Sequence, residues 1–217
     1  MFVIPGEIIF RRVENRLEDK RITKTKRNIK ATLTDILQEM PFEKISVAEI
    51  CRRGDISRIT FYAHYEDKYA LAEDIFSDHM REATDKYHAL QAENNPQNDG
   101  ILGYRNLLEA ILSLYYDNYP FFSHTTSKEN PYLFSVYFYR MYLNVDDYLR
   151  RHTCLKPCFP SHQTAALICN GLFGVIGSCI ADHYSEEEVR RIAREVYSVI
   201  LDSAMFEKQE RTASWRF

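Results

Sequence analysis

Arg58 and Thr60 stand two residues apart in the segment SRITFYAHY (57–65). Their chemistry suits the edges of base pairs: a guanidinium can take guanine through two hydrogen bonds, and a threonine methyl can meet the methyl of thymine. Phe61 and Tyr65 are spaced i and i+4, so a helix here turns both toward a core and leaves Arg58, Thr60, Tyr62 and His64 off that face. Ser57 opens the segment. Upstream, Ser46 can cap a short helix whose Val47, Ile50 and Cys51 fall at i, i+3 and i+4. Gly54 is expected to stop that helix by taking the positive φ of a tight corner, with Asp55 beside it as a second turn former. Two short helices around such a corner make a helix-turn-helix, whose second helix enters a major groove.

Other chemistries find less support. His152, Cys154, Cys158 and His162 are all zinc-type ligands within one Pro-bearing stretch, but their spacing is not that of a short zinc finger, so free thiols are expected and no metal. No G-x-S-x-G, phosphate-cradling Gly loop or H-E-x-x-H occurs, and GLFGVIG lies inside an apolar helical stretch. Neither an enzyme nor a cofactor is expected.

Net charge is −3, yet it is unevenly spread. From Arg11 to Lys68 there are 14 Lys and Arg against 10 Asp and Glu, and from Tyr69 onward 14 against 20. Such asymmetry suits a chain with one end at phosphates. At 45% hydrophobic and 27% charged residues the composition is that of a soluble globular protein. No apolar run is read as reaching the roughly 18 residues of a membrane span, no secretory signal is evident, and five cysteines suit a reducing compartment. The expectation is a cytoplasmic protein with no membrane partner.

The elements that must hold these residues are all helical by periodicity. Ile29, Leu33, Ile36, Leu37 and Met40 predict a helix from about Thr25 to Met40, ended by Pro41. Its amino end would offer free N–H groups to a phosphate at Thr25 and Lys26. A long helix is predicted over 68–92, then a polar loop, then helices over 101–118, 130–151, 161–183 and 185–208. The third of these carries Gly171, Gly174 and Gly177, small residues that let another helix approach closely. Aromatics crowd the middle of the chain, and Tyr115, Phe122, Phe134, Phe138 and Tyr142 are the expected wall of a pocket for an apolar or aromatic effector, with plain ring packing as the alternative.

The stretch ISVAEICRRGDISRITFYAHYEDK (45–68), with Ile29, Leu33, Ile36 and Leu37 before it and Ala70 and Leu71 after it, resembles the DNA-binding head of the TetR family of bacterial transcriptional regulators. The likeness covers roughly 50 residues and is carried above all by TFYAHYEDK. It implies an all-α chain: a three-helix head over 21–68 and a helical effector-binding and dimerisation body over 69–217. Residues 1–20 read as a weakly ordered extension, with an arm whose Arg11, Arg12 and Arg16 touch a DNA backbone as the alternative.

By the same resemblance Tyr62, His64 and Lys68 match positions that contact the backbone or a nearby base, and Ser46 matches a phosphate contact. The last two helices are expected to pair across a two-fold axis, with Gly171, Gly174, Gly177, Val189, Val196 and Ile200 at the seam. The function implied is a small-molecule-responsive repressor, a homodimer on a pseudo-palindromic stretch of double-stranded DNA. Ala63, where the family commonly has a large residue, and Asp55 in the corner depart from the pattern and motivate an alternative: a helical dimer acting through a protein partner.

Overall fold

The computed structural model describes residues 20–125, 131–151, 156–203 and 205–207. The amino-terminal arm with Arg11, Arg12 and Arg16, and His152 and Cys154 of the candidate metal set, lie outside them. Among the described residues the chain is all-α, with helices α1 (Lys20–Ile36), α2 (Val47–Arg53), α3 (Arg58–Tyr62), α4 (Lys68–Asn94), α5 (Gly100–Asp117), α6 (Tyr119–Thr125), α7 (Pro131–Arg151), α8 (Ser161–Ala181) and α9 (Glu186–Asp202). Two residue pairs, Lys156 with Glu207 and Pro157 with Phe206, form a minimal antiparallel ladder.

Helix starts follow local chemistry. Ser46, Ser57 and Ser185 each accept a hydrogen bond from the backbone N–H three residues on, and Ser185 with Glu188 completes a reciprocal capping box. The first helix starts earlier than its apolar stripe suggests and ends at Ile36; turns carry the chain to Pro41, which opens a short 3-10 turn over Phe42–Lys44. The last helix stops at Asp202, because the chain turns back to place Phe206 in the ladder.

Packing divides the described residues into two units, 20–85 with 113–125 and 131–138, and 86–112 with 139–151, 156–203 and 205–207. The first is centred on Ile29, Leu33, Ile36, Phe42, Ile50, Phe61, Leu71 and Phe76, all fully buried. Phe76 stacks on Tyr137 with 4.0 Å between ring centroids, so α4 and α7 meet there through aromatic faces. In the second unit, Tyr104 meets Tyr148 edge to face at 4.6 Å, and Gly103 is required beside them, since a Cβ there would collide with the Tyr148 hydroxyl. Asn106 bonds Gln91 and Asn94, and α8 packs on α9.

Two expectations about the carboxyl half need correction. Helix α8 is a 21-residue segment long and apolar enough to cross a membrane by length and composition, with only 33% of its apolar window buried in the chain. Val189 is 1% exposed and belongs to the interior of its own unit, so it has no surface to offer at a seam.

Candidate nucleic-acid interface

The corner between α2 and α3 is made by two residues with different tasks. Gly54 lies at φ −79°, and the positive φ falls on Asp55, at 49°. Aspartate is among the few side chains that tolerate this region. Gly54 is needed for space instead: a Cβ there would sit 3.0 Å from Thr32 Oγ1 and 3.1 Å from the Ile50 carbonyl oxygen. Asn28 of α1 donates to the Gly54 carbonyl at 2.8 Å, fastening the corner to the first helix.

Helix α3 turns Phe61 inward, and Tyr65, just past its end, is buried too. Tyr65 donates its hydroxyl to Asp74 of α4 at 2.9 Å, and Asp74 also pairs with Lys30 at 2.9 Å. Burial pushes the Asp74 carboxyl up, but Lys30, Tyr65 and Lys26 outweigh it and hold the pKa below the ordinary carboxylate value. Arg58 is exposed and Tyr62 is 56% exposed, while Thr60 and His64 are half-buried. Thr60 Oγ1 lies 2.8 Å from Ser57 Oγ, so the cap engages its hydroxyl. Ser46 and Ser57 are exposed caps.

Three of the expected contact residues have other engagements. Thr25 and Lys26 lie beyond the first turn of α1, so their backbone N–H groups are inside the helical ladder and not at its free end. Lys26 reaches Asp74 at 3.7 Å and lies over the Tyr65 ring. Lys68 points into its own unit, donating to the carbonyls of Phe42, Glu43 and Ile45 at 2.9, 3.2 and 2.9 Å. All three ammonium protons are engaged, and burial lowers the pKa of the group. The expected backbone contact at Lys68 therefore gives way to closing the 3-10 turn.

Arg52 and Arg53 are also turned to partners, since both bond Glu49 and hold its carboxyl down at about 2. Lys24, Arg27, Lys44 and Arg58 are exposed and make no ion pair among the described residues. Ile59 was missed by sequence reasoning and is 84% exposed, the highest of the large apolar side chains among the described residues. The signal was there: two residues from Phe61 is about 200° around a helix, so Ile59 had to face outward.

Solved structures resemble the chain, these three among them. A transcriptional regulator (TerR/AcrR family) from Aquifex aeolicus VF5 shares 20% identity over 81% of this chain and 99% of its own, with a TM-score of 0.54. The dihydroxyacetone kinase operon activator DhaS shares 19% over 84% and 98%, with a TM-score of 0.51. This chain has their fold. A TetR family transcriptional regulator PfmR from Thermus thermophilus follows at 18% over 82% and 95%, with a TM-score of 0.49. No family model matches the sequence. No curated protein matches it either.

The expected effector residues are distributed over both units. Tyr115 and Phe122 stack on each other in the first unit, where burial raises the Tyr115 pKa. Phe134 and Phe138 stack with Phe134 40% exposed, and Tyr142 belongs to the second unit. An open cavity of about 370 Å³ lies elsewhere, lined by Arg105, Leu108 and Glu109 of α5 and Arg194, Glu195 and Tyr197 of α9.

The three glycines of α8 are exposed, and a Cβ on any of them would meet nothing within 4 Å. Among the described residues no helix uses the close approach they permit. Leu167 on the same side of α8 is 56% exposed and Val199 of α9 71%, while Val196 and Ile200 are half-buried. Among the described residues no group of three or more His, Cys, Asp or Glu could hold a metal ion.

Proposed function

We infer that the protein is a DNA-binding transcriptional regulator that acts as a homodimer on a pseudo-palindromic site and answers to a small molecule taken up by its helical body. The observation that carries this reading is the outer side of α3, where Arg58, Ile59 and Tyr62 project from a helix locked to its neighbours by Phe61 and Tyr65. The functional division follows: residues 21–68 read DNA, and residues 69–217 pair the protomers and bind the effector. Arg58 reads a base edge, while Tyr62, His64 and Ser46 meet the backbone.

The open side of α8 supports the dimer. Leu167, Gly171, Gly174 and Gly177 form an uncovered stripe on a helix apolar enough for lipid, and a second copy would bury it in water-soluble form. Two heads would then lie about 34 to 36 Å apart, one duplex turn. Asp55 has a local reason in its backbone conformation, which removes part of the motive for a partner-protein reading. Repression by occupancy is the proposed outcome; DhaS, described as an operon activator, makes activation the second reading.

Selection of bound genomic fragments, followed by gel shifts at several salt concentrations, tests the reading. Binding should weaken with salt, and Arg58→Ala should cost about 1–3 kcal/mol on the selected site but little on random DNA. Absence of any retarded complex at low salt would refute the DNA-binding role, a single-protomer mass at micromolar concentration the dimer, and reporter output from the selected promoter separates repression from activation.

A further inference from the structure

We propose that Ile59, with Ala63 one turn on, is the residue by which this chain selects thymine, through van der Waals contact with its C5 methyl in the major groove; the inference rests on the DNA-binding reading above.

Burial explains nearly every other aliphatic residue of α1 to α3: Ile29, Leu33, Ile36 and Ile50 are fully buried, and Val47 and Ile56 pack against the same core. Ile59 is 84% exposed in a five-residue helix. Neither its own helix nor its unit gives it a reason to be apolar. A β-branched residue is also a poorer helix former than the Lys, Glu or Ala that an exposed position accepts.

The surroundings say what covers it. Tyr62 and Ala63 lie i+3 and i+4 from Ile59 and are exposed, so the three make one narrow strip on the side opposite Phe61. Helical side chains lean toward the amino end, which brings Ile59 over the part of α3 that carries Arg58. One isoleucine and one alanine are far too little apolar surface for a protein interface, which needs about 800 Å² on each side.

They match one methyl group, and thymine is the one natural base that shows a methyl in the major groove. Arg58 beside the strip makes no ion pair among the described residues, a cation suited to a polyanion; the exposed carboxylate of Asp55 is the nearest opposing charge in sequence. Thr60, the residue first expected to meet a thymine methyl, has its hydroxyl held by Ser57 and is half-buried. Arg58 thus supplies polar readout and Ile59 apolar readout, on adjacent positions.

Deoxyuridine differs from thymidine only by that methyl. On the DNA selected by the wild-type protein, each thymine is replaced in turn by deoxyuridine and affinity is read by fluorescence anisotropy. One position per half-site should lose about fourfold, and both together about fifteenfold, the worth of one buried methyl each.

Ile59→Ala should lose as much on unmodified DNA and be indifferent to deoxyuridine at that position, with an unchanged melting curve because the side chain is exposed. Ile59→Val should keep most of the discrimination. Insensitivity of the wild type to every replacement, or equal sensitivity of wild type and Ile59→Ala, overturns the inference while leaving DNA binding intact. A wild-type protein that enriches no sequence overturns both.

Discussion

The corner at Gly54 and the stripe at Gly171, Gly174 and Gly177 use the same residue for opposite reasons. At Gly54 the space for a side chain is already filled by Thr32 and the Ile50 carbonyl; along α8 it is empty. The first unit fills the space beside its corner glycine, and the last two helices leave the space beside theirs open. A glycine therefore marks a close approach only when something approaches, and along α8 nothing among the described residues does.

The contrast can be broken most forcefully at buried and exposed apolar positions. Phe61→Ala should cost about 3–5 kcal/mol of unfolding free energy by urea titration. Leu167→Ala should leave protomer stability within about 0.5 kcal/mol while shifting the sedimentation equilibrium toward monomer. A large protomer loss at Leu167 would place α8 in an intrachain contact.

Lys68 comes next. Removing its ammonium strips three carbonyls of a donor, so Lys68→Ala should destabilise the protein by about 1.5–3 kcal/mol. Its gel-shift salt slope should equal that of the wild type, and a slope reduced by about one would return Lys68 to the phosphate backbone.

The two glycine environments differ in sign. Gly54→Ala should cost about 1–3 kcal/mol through overpacking. Gly171→Ala should raise protomer stability by up to about 1 kcal/mol through helix propensity while weakening self-association. A loss at both positions would erase the distinction.

The smallest effect lies in the ionic tie between α1, α3 and α4. The pKa of Asp74 is depressed in the folded protein, so its contribution is full above the unfolded value of about 3.9 and is lost as pH falls through the folded one. The stability gap between wild type and Asp74→Asn should shrink below about pH 4 in an acid titration, and a gap constant down to about pH 2 would remove Asp74 from the tie.

Much of the amino-terminal unit was legible because its signals are local. Ser46 and Ser57 bind backbone three residues away, and Phe61 and Tyr65 face inward by spacing alone. The engagement of Lys68 was not legible, because a lysine near an expected interface has no sequence mark of the carbonyls it will find, 23 to 26 residues upstream. The short helix α6 was missed since residues 119–125 are too few to show a period, and Val189 fell inside although it shares a helix with exposed Val199.

By itself the sequence determined the longer helical segments, the Ser46 cap and the inward turn of Phe61 and Tyr65, because helix capping and periodicity act within a few residues. Tertiary structure alone decided that Asp55 and not Gly54 takes the left-handed conformation, that Lys68 closes a turn, and that Ile59 and the α8 glycines stay uncovered. Those outcomes depend on which atoms meet across the fold, and short-range spacing carries no record of them.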